Sequence, residues 1–143
     1  MADLARFGDG SFELVFHPCS NLFVPDVRRV WREAFRVLAP GGVLLAGFVQ
    51  RAFFVFDEET ARRGEFRVRH RIPFSDLADL SAAELEKRRE QGEPLTFGHS
   101  LEDQIGGQLE AGFALTGFYE DAWTGEPLAE YFPLTIATRA VKP

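Results

Sequence analysis

Five consecutive residues, His17-Pro18-Cys19-Ser20-Asn21, bring an imidazole, a thiol, a hydroxyl and an amide together in one short segment. The imidazole of His17 titrates near neutrality, so it could serve as a general base. A loop histidine held by hydrogen bonds is the plainer reading. Cys19 could be a nucleophile, but a lone cysteine more often packs as a small hydrophobe. Ser20 and Asn21 could bind a substrate, or they could cap the helix that follows them. His70 and His99 are the remaining histidines. Their separations from His17 and from each other match no metal-ligand spacing, so no metal is expected. Phe53-Phe54-Val55-Phe56 could cover a planar substrate, although the buried side of a hairpin is favoured. Arg67, Arg69 and Arg71 could receive an anionic substrate, although a solvated strand face is favoured.

The elements that must position these groups are legible in the hydrophobic pattern. Phe12-Glu13-Leu14-Val15-Phe16 follows an Asp9-Gly10 turn signal and reads as a strand buried on both faces of a parallel sheet. From Val24 to Leu38, the apolar residues Val27, Val30, Trp31, Ala34, Phe35 and Leu38 recur at spacings of three and four, as in an amphipathic helix. Pro25 suits its first turn, and Pro40-Gly41-Gly42 should end it with a left-handed glycine cap. Val43 to Val49 is a second strand, which completes a βαβ unit with a right-handed crossover.

Residues 51–99 are less regular. Phe53–Phe56 and Phe66–Ile72 are candidate strands. Ser81-Ala82-Ala83-Glu84 is a capping box that opens a charged helix. A further helix begins near Ser100, with Leu101, Ile105 and Leu109 as its apolar stripe and Gly112 as its cap. Phe113–Tyr119 and Tyr131–Val141 read as strands with no helix between them, so they should be antiparallel. The expected architecture is α/β and mostly parallel with one reversed strand. It divides into a βαβ unit over 1–50, an insertion over 51–99 on the substrate side, and an αββ end over 100–143.

The composition fits a single globular domain: 143 residues, 45% hydrophobic and 13% aromatic, with 15 Phe. The formal net charge of -6 argues against a nucleic-acid or anionic-membrane surface. No apolar run is long enough for a membrane span. One cysteine permits no internal disulfide, and a cytoplasmic location is expected.

Three segments carry a family resemblance. Asp9-Gly10-Ser11-Phe12-Glu13-Leu14-Val15 resembles the entry to the fourth strand of class I S-adenosylmethionine (SAM)-dependent methyltransferases. Arg32-Glu33-Ala34-Phe35-Arg36-Val37-Leu38-Ala39-Pro40-Gly41-Gly42 is similar to the motif that closes that family's next helix. Gln108-Leu109-Glu110-Ala111-Gly112-Phe113 resembles a late helix of the same family, and Ile136 to Val141 fits its reversed seventh strand. The resemblance implies the C-terminal half of a doubly wound, Rossmann-like sheet.

The resemblance also implies SAM as cofactor and a small-molecule substrate. By analogy, Met1 and Ala2 fall in the stretch that touches adenine. His17 and Ser20 face the methyl donor, while Asn21, Gln50 and Arg51 lie toward the substrate. The family's glycine-rich loop, E/D-x-G-x-G-x-G, has no counterpart here. The start is therefore read as internal to a longer protein, and the chain as one wall of the cofactor crevice. On that expectation the chain is not competent alone and needs an N-terminal half, which another chain could supply. The alternative is a non-catalytic remnant or assembly module that forms a homodimer through the strand edge at Phe12–Phe16.

Overall fold

The computed structural model describes residues 2–143. Met1, assigned above to the adenine side, lies outside the described residues. Strand β1 (Phe12–His17) leads through a 3-10 turn at Asn21–Phe23 into helix α1 (Val27–Val37), and β2 (Leu38–Val49) follows directly. The middle segment holds a 3-10 turn (Arg51–Val55), α2 (Glu58–Ala61), β3 (Phe74–Ser75), α3 (Asp76–Asp79), α4 (Ala82–Glu90) and β4 (Phe97–Gly98). A π turn at Glu102–Gly106 then runs into α5 (Gly107–Glu110). The chain ends with β5 (Ala114–Asp121), a 3-10 turn (Pro127–Glu130) and β6 (Thr135–Val141).

The main sheet has the order β1-β2-β6-β5. β1 and β2 are parallel, with Val15 opposite Leu44 and His17 opposite Ala46. β6 is antiparallel to both of its neighbours, so three strands run one way and one is reversed, as the sequence implied. The short pair β3 and β4 forms a separate antiparallel ribbon.

The spacing in α1 performs as its pattern predicts. Val27, Val30, Trp31, Ala34 and Val37 are buried, and Trp31 is 0% exposed. Val27, Val30, Trp31 and Ala34 pack on Leu44, Ala46 and Ala140 of the sheet and on Phe113. Each large apolar side chain so buried contributes on the order of 1.5–3 kcal/mol.

Several expectations are corrected. β1 is covered on one face only: Leu14 is 54% exposed and Phe16 69%. Their strand partners Val43 and Leu45 are only half-buried, because the helical layer of α1 lies on the opposite face. The cap of α1 is Asp26, whose side chain accepts from the backbone N–H of Arg29 at 3.1 Å, not Ser20 or Asn21. Pro25 precedes that cap.

The C-terminus of α1 has no left-handed glycine. Leu38 is already extended, and the ammonium of Lys142 donates to the carbonyls of Phe35 (2.8 Å) and Leu38 (2.7 Å). A cation there satisfies carbonyls that have no partner within the helix and complements the helix dipole. Gly41 does have positive φ, +79°, but inside the β2 segment, where its N–H pairs with the carbonyl of Lys142.

Phe53–Phe56 is mostly a 3-10 turn, and only one bridge, Phe56 with Val68, joins the two candidate strands of the middle segment. In the late helix the buried side chains are Gln104 and Gln108, beside Gly107, while Leu109 is exposed. The π turn rotates the helix face, so a stripe counted at 3.6 residues per turn misplaces the core side. The capping box at Ser81 forms in full.

Glu33 and Arg36 do more than solvate α1. Glu33 Oε2 accepts from Leu4 N–H at 2.8 Å, and Arg36 donates to the carbonyls of Leu4 and Phe7 and to Asp9. Together they tie the segment before β1 to the helix. The side-chain bond from Arg36 and the backbone bond from Leu4 lower the Glu33 pKa to about 2.

Candidate functional site

The carboxyl ends of β1, β2 and β5 point to one end of the sheet. A cleft of about 890 Å³ opens there, beneath the middle segment. In open α/β sheets, ligands gather at that end of the strands. Cys19 and Leu22, from the segment after β1, and Val49, at the end of β2, line the cleft. The middle segment contributes a row of rings, because the 3-10 turn after β2 directs Phe53 and Phe54 inward. Trp123 stacks on Phe53 (5.9 Å, 29°), Phe53 meets Phe54 edge-on, Phe54 stacks on Phe74 (6.0 Å, 23°), and His70 closes the row against Phe74 at 4.7 Å. This row lines the cleft, so the phenylalanine cluster forms a wall rather than the inner side of a hairpin.

Charged side chains also line the cleft. Arg69 is held between Asp57 (3.0 Å) and Glu84, and Arg88 between Glu58 and Glu93 (2.8 Å), with Asp76 at 3.6 Å. Asp76 is fully buried and also accepts from the N–H and hydroxyl of Thr96. The arginine stripe thus divides. Arg69 lines the cleft and is paired there, whereas Arg67, paired with Glu65, and Arg71 do not line it.

The His17–Asn21 segment is brought together with the late helix. Asn21 is 0% exposed, and its Nδ2 donates to Gln104 Oε1 at 2.9 Å. Gln108 Nε2 donates to the Gln104 carbonyl at 3.0 Å, and the Thr138 hydroxyl donates to Gln108 Oε1 at 2.9 Å. This buried ladder of amides links the loop after β1 to α5 and β6. His99 lies against the same loop, its Nε2 3.2 Å from the Asn21 carbonyl oxygen. Cys19 has a positive φ of 42°, and its N–H donates to the Gly47 carbonyl. Burial raises its thiol pKa, which favours the uncharged thiol.

His17 is 2% exposed, sits edge-on to Trp31 (5.5 Å), and has its pKa lowered to about 4 by burial. The ring is therefore neutral at pH 7, and it is not among the residues lining the cleft. Its Nε2 and the Oδ1 of Asn21 are buried without a hydrogen-bond partner among the described residues. Ala2 packs against the core beside α1. Ser20 precedes the 3-10 turn at Asn21–Phe23. Gln50 and Arg51 follow β2 but line the 3-10 turn side rather than the cleft. The Gln50 N–H donates to the Leu134 carbonyl, and Arg51 is exposed. Reading of the sequence missed Asp121, at the end of β5, and Trp123 and Glu126, because the stretch that follows β5 has no periodic pattern. A tryptophan between acidic residues in a connecting loop was the available signal. Among the described residues, no group of three or more His, Cys, Asp or Glu could hold a metal ion, and no helix is long and apolar enough to cross a membrane.

A mixed sheet with one reversed strand and a βαβ entry give this chain the fold of class I methyltransferases, and its sequence is similar to that family. A family model described as a methyltransferase domain matches residues 1–46. The uncharacterized methyltransferase YbaJ of Bacillus subtilis (strain 168) is 49% identical over 142 residues, covering 99% of this chain and 55% of that protein. The chain thus spans about half the length of this curated relative. Among solved structures, a putative SAM-dependent methyltransferase from Listeria monocytogenes superposes with a TM-score of 0.67 at 14% identity, covering 99% of this chain and 66% of that one. A SAM-dependent methyltransferase from Mesorhizobium loti gives 0.65 at 15% identity, over 94% and 64%.

Proposed function

We propose that this chain is the substrate-side portion of a cytoplasmic, SAM-dependent methyltransferase acting on a small molecule, and that it needs a cofactor-binding half to be active. The observation that carries this reading is the open side of β1, a parallel edge strand with Leu14 and Phe16 exposed. Parallel sheets of this kind are covered by helices on both faces. Strands and helices bearing a glycine-rich loop would cover that face and extend the edge.

The fit to SAM extends to one wall only. By the resemblance we assign Ala2, His17 and Ser20 to the cofactor side, and the buried Nε2 of His17 and Oδ1 of Asn21, which lack a partner among the described residues, support a polar ligand there. Bound SAM supplies an electrophilic methyl group. The protein's task is to hold the acceptor in line and to exclude water. In this reading residues 51–99 form the substrate side, because the aromatic row of Phe53, Phe54 and Phe74 walls the cleft. His17 acts there as a neutral packing and positioning group, since proton transfer would need a path from its buried ring to the acceptor.

Calorimetric titration of SAM tests the proposal. This chain alone should bind SAM weakly or not at all, and a form extended upstream through a glycine-rich loop should bind it. Absence of binding by the extended form would refute the reading. The exposed Leu14 and Phe16 favour one alternative, an assembly module that dimerises through β1. A dimer in sedimentation that Phe16→Lys dissociates, together with no SAM binding in any form, would establish it.

A further inference from the structure

The charges around the cleft are unbalanced in a way that selects a ligand. Seven carboxylates and four Arg or Lys side chains line it. Arg69 and Arg88 are each clasped by carboxylates from two different segments, and Arg62 pairs with Glu58. An anionic ligand would have to break those pairs to use the guanidinium groups. Lys87 is exposed at the surface of α4. The surplus is negative, and Asp121, at the end of β5, and Glu126 flank Trp123 along the chain. His70 adds no compensating charge, since burial lowers its pKa.

Trp123 is 42% exposed, and its ring continues the row of Phe53, Phe54 and Phe74. Aromatic faces attract cations, most strongly at tryptophan, and nearby carboxylates add to the attraction. The rest of the row offers flat apolar surface for a ring or alkyl group.

From the aromatic row and the surplus of carboxylates at Trp123, we propose that the cleft binds a small organic cation, an amine carrying an aromatic or apolar group, in preference to a carboxylate or phosphate. This deepens the proposed function, because it rests on reading the cleft as the acceptor site. Its test needs no methyl donor. Phenethylamine, 2-phenylethanol and 3-phenylpropionate share one ring and differ in charge. Each is titrated into nitrogen-15-labelled protein while the two indole N–H resonances are followed.

The Trp123 resonance should move and that of buried Trp31 should not. Phenethylamine should bind at least about tenfold more tightly than 3-phenylpropionate, and raised salt should narrow the gap. The double variant Asp121→Asn, Glu126→Gln should weaken phenethylamine about threefold or more and leave 2-phenylethanol unchanged. Equal or tighter binding of the carboxylate, a preference that survives the double variant, or no shift at Trp123 with any of the three ligands would overturn the proposal. Amine preference in a protein that never binds SAM would leave this proposal standing and remove the methyltransferase reading. SAM binding without amine preference would do the reverse.

Discussion

Replacing Gln104 with methionine should destabilise the protein by about 2 kcal/mol. The change keeps the length and flexibility of the side chain but removes Oε1, the acceptor for Asn21 Nδ2 at 2.9 Å. Asn21 is fully enclosed, and its Oδ1 already has no partner among the described residues. Water cannot replace the lost acceptor, so the orphaned donor carries a desolvation cost of about 1–3 kcal/mol in place of a bond with a net contribution of about 1 kcal/mol. Asn21→Ala alone should also destabilise, because it orphans the Gln104 oxygen and leaves a small void. In the double variant neither orphan remains. The two single effects should therefore exceed the double by about 1–2 kcal/mol.

Urea denaturation of the four proteins measures this cycle. Midpoints should shift by about 1 M for each single change at constant m-value, and Tm by about 4–8 °C. A coupling below about 0.5 kcal/mol would be additivity within error and would refute the claim that the two amides form a closed pair. The consequence reaches function, because this pair fixes the loop from which Cys19 and Leu22 enter the cleft.

Three further outcomes follow from other contacts. A Cβ at Gly107 would lie 2.8 Å from Trp31 Cδ1, so Gly107→Ala should cost about 1–3 kcal/mol in a chemical melt despite alanine's better helix propensity. His17 has a folded pKa below its unfolded value of 6.5, at about 4, so the unfolded state binds the extra proton between those limits. Its contribution is present above pH 6.5 and is lost as pH falls toward 4, by up to about 3 kcal/mol, and His17→Phe should flatten the stability difference across that window. Lys142→Met should cost about 1 kcal/mol at low ionic strength by uncapping α1, with part of the loss in the wild type reproduced by salt; equal stability of the two proteins would refute the cap.

The sequence by itself determined the elements whose signals are local. The apolar stripe of α1, the strands at Phe12 and Val43, the capping box at Ser81 and the reversed last strand were all legible, because periodicity and capping act within one or two turns of chain. The cleft was legible only in part of its lining, in Cys19, Phe53, Phe54, Arg69 and His70. Its chemistry depends on contacts between distant segments: Trp123 meets Phe53, Arg69 reaches Glu84, and Asn21 meets Gln104. No local pattern encodes such pairs. The late helix shows the limit within a single element. Its apolar residues suggested one buried face, but the π turn and the partners of Gln104 and Gln108 turned the polar face inward, where hydrogen bonds compensate its burial. Tertiary structure likewise decided that β1 is covered on one side only, because burial depends on which layers are present against a strand and not on how apolar the strand is.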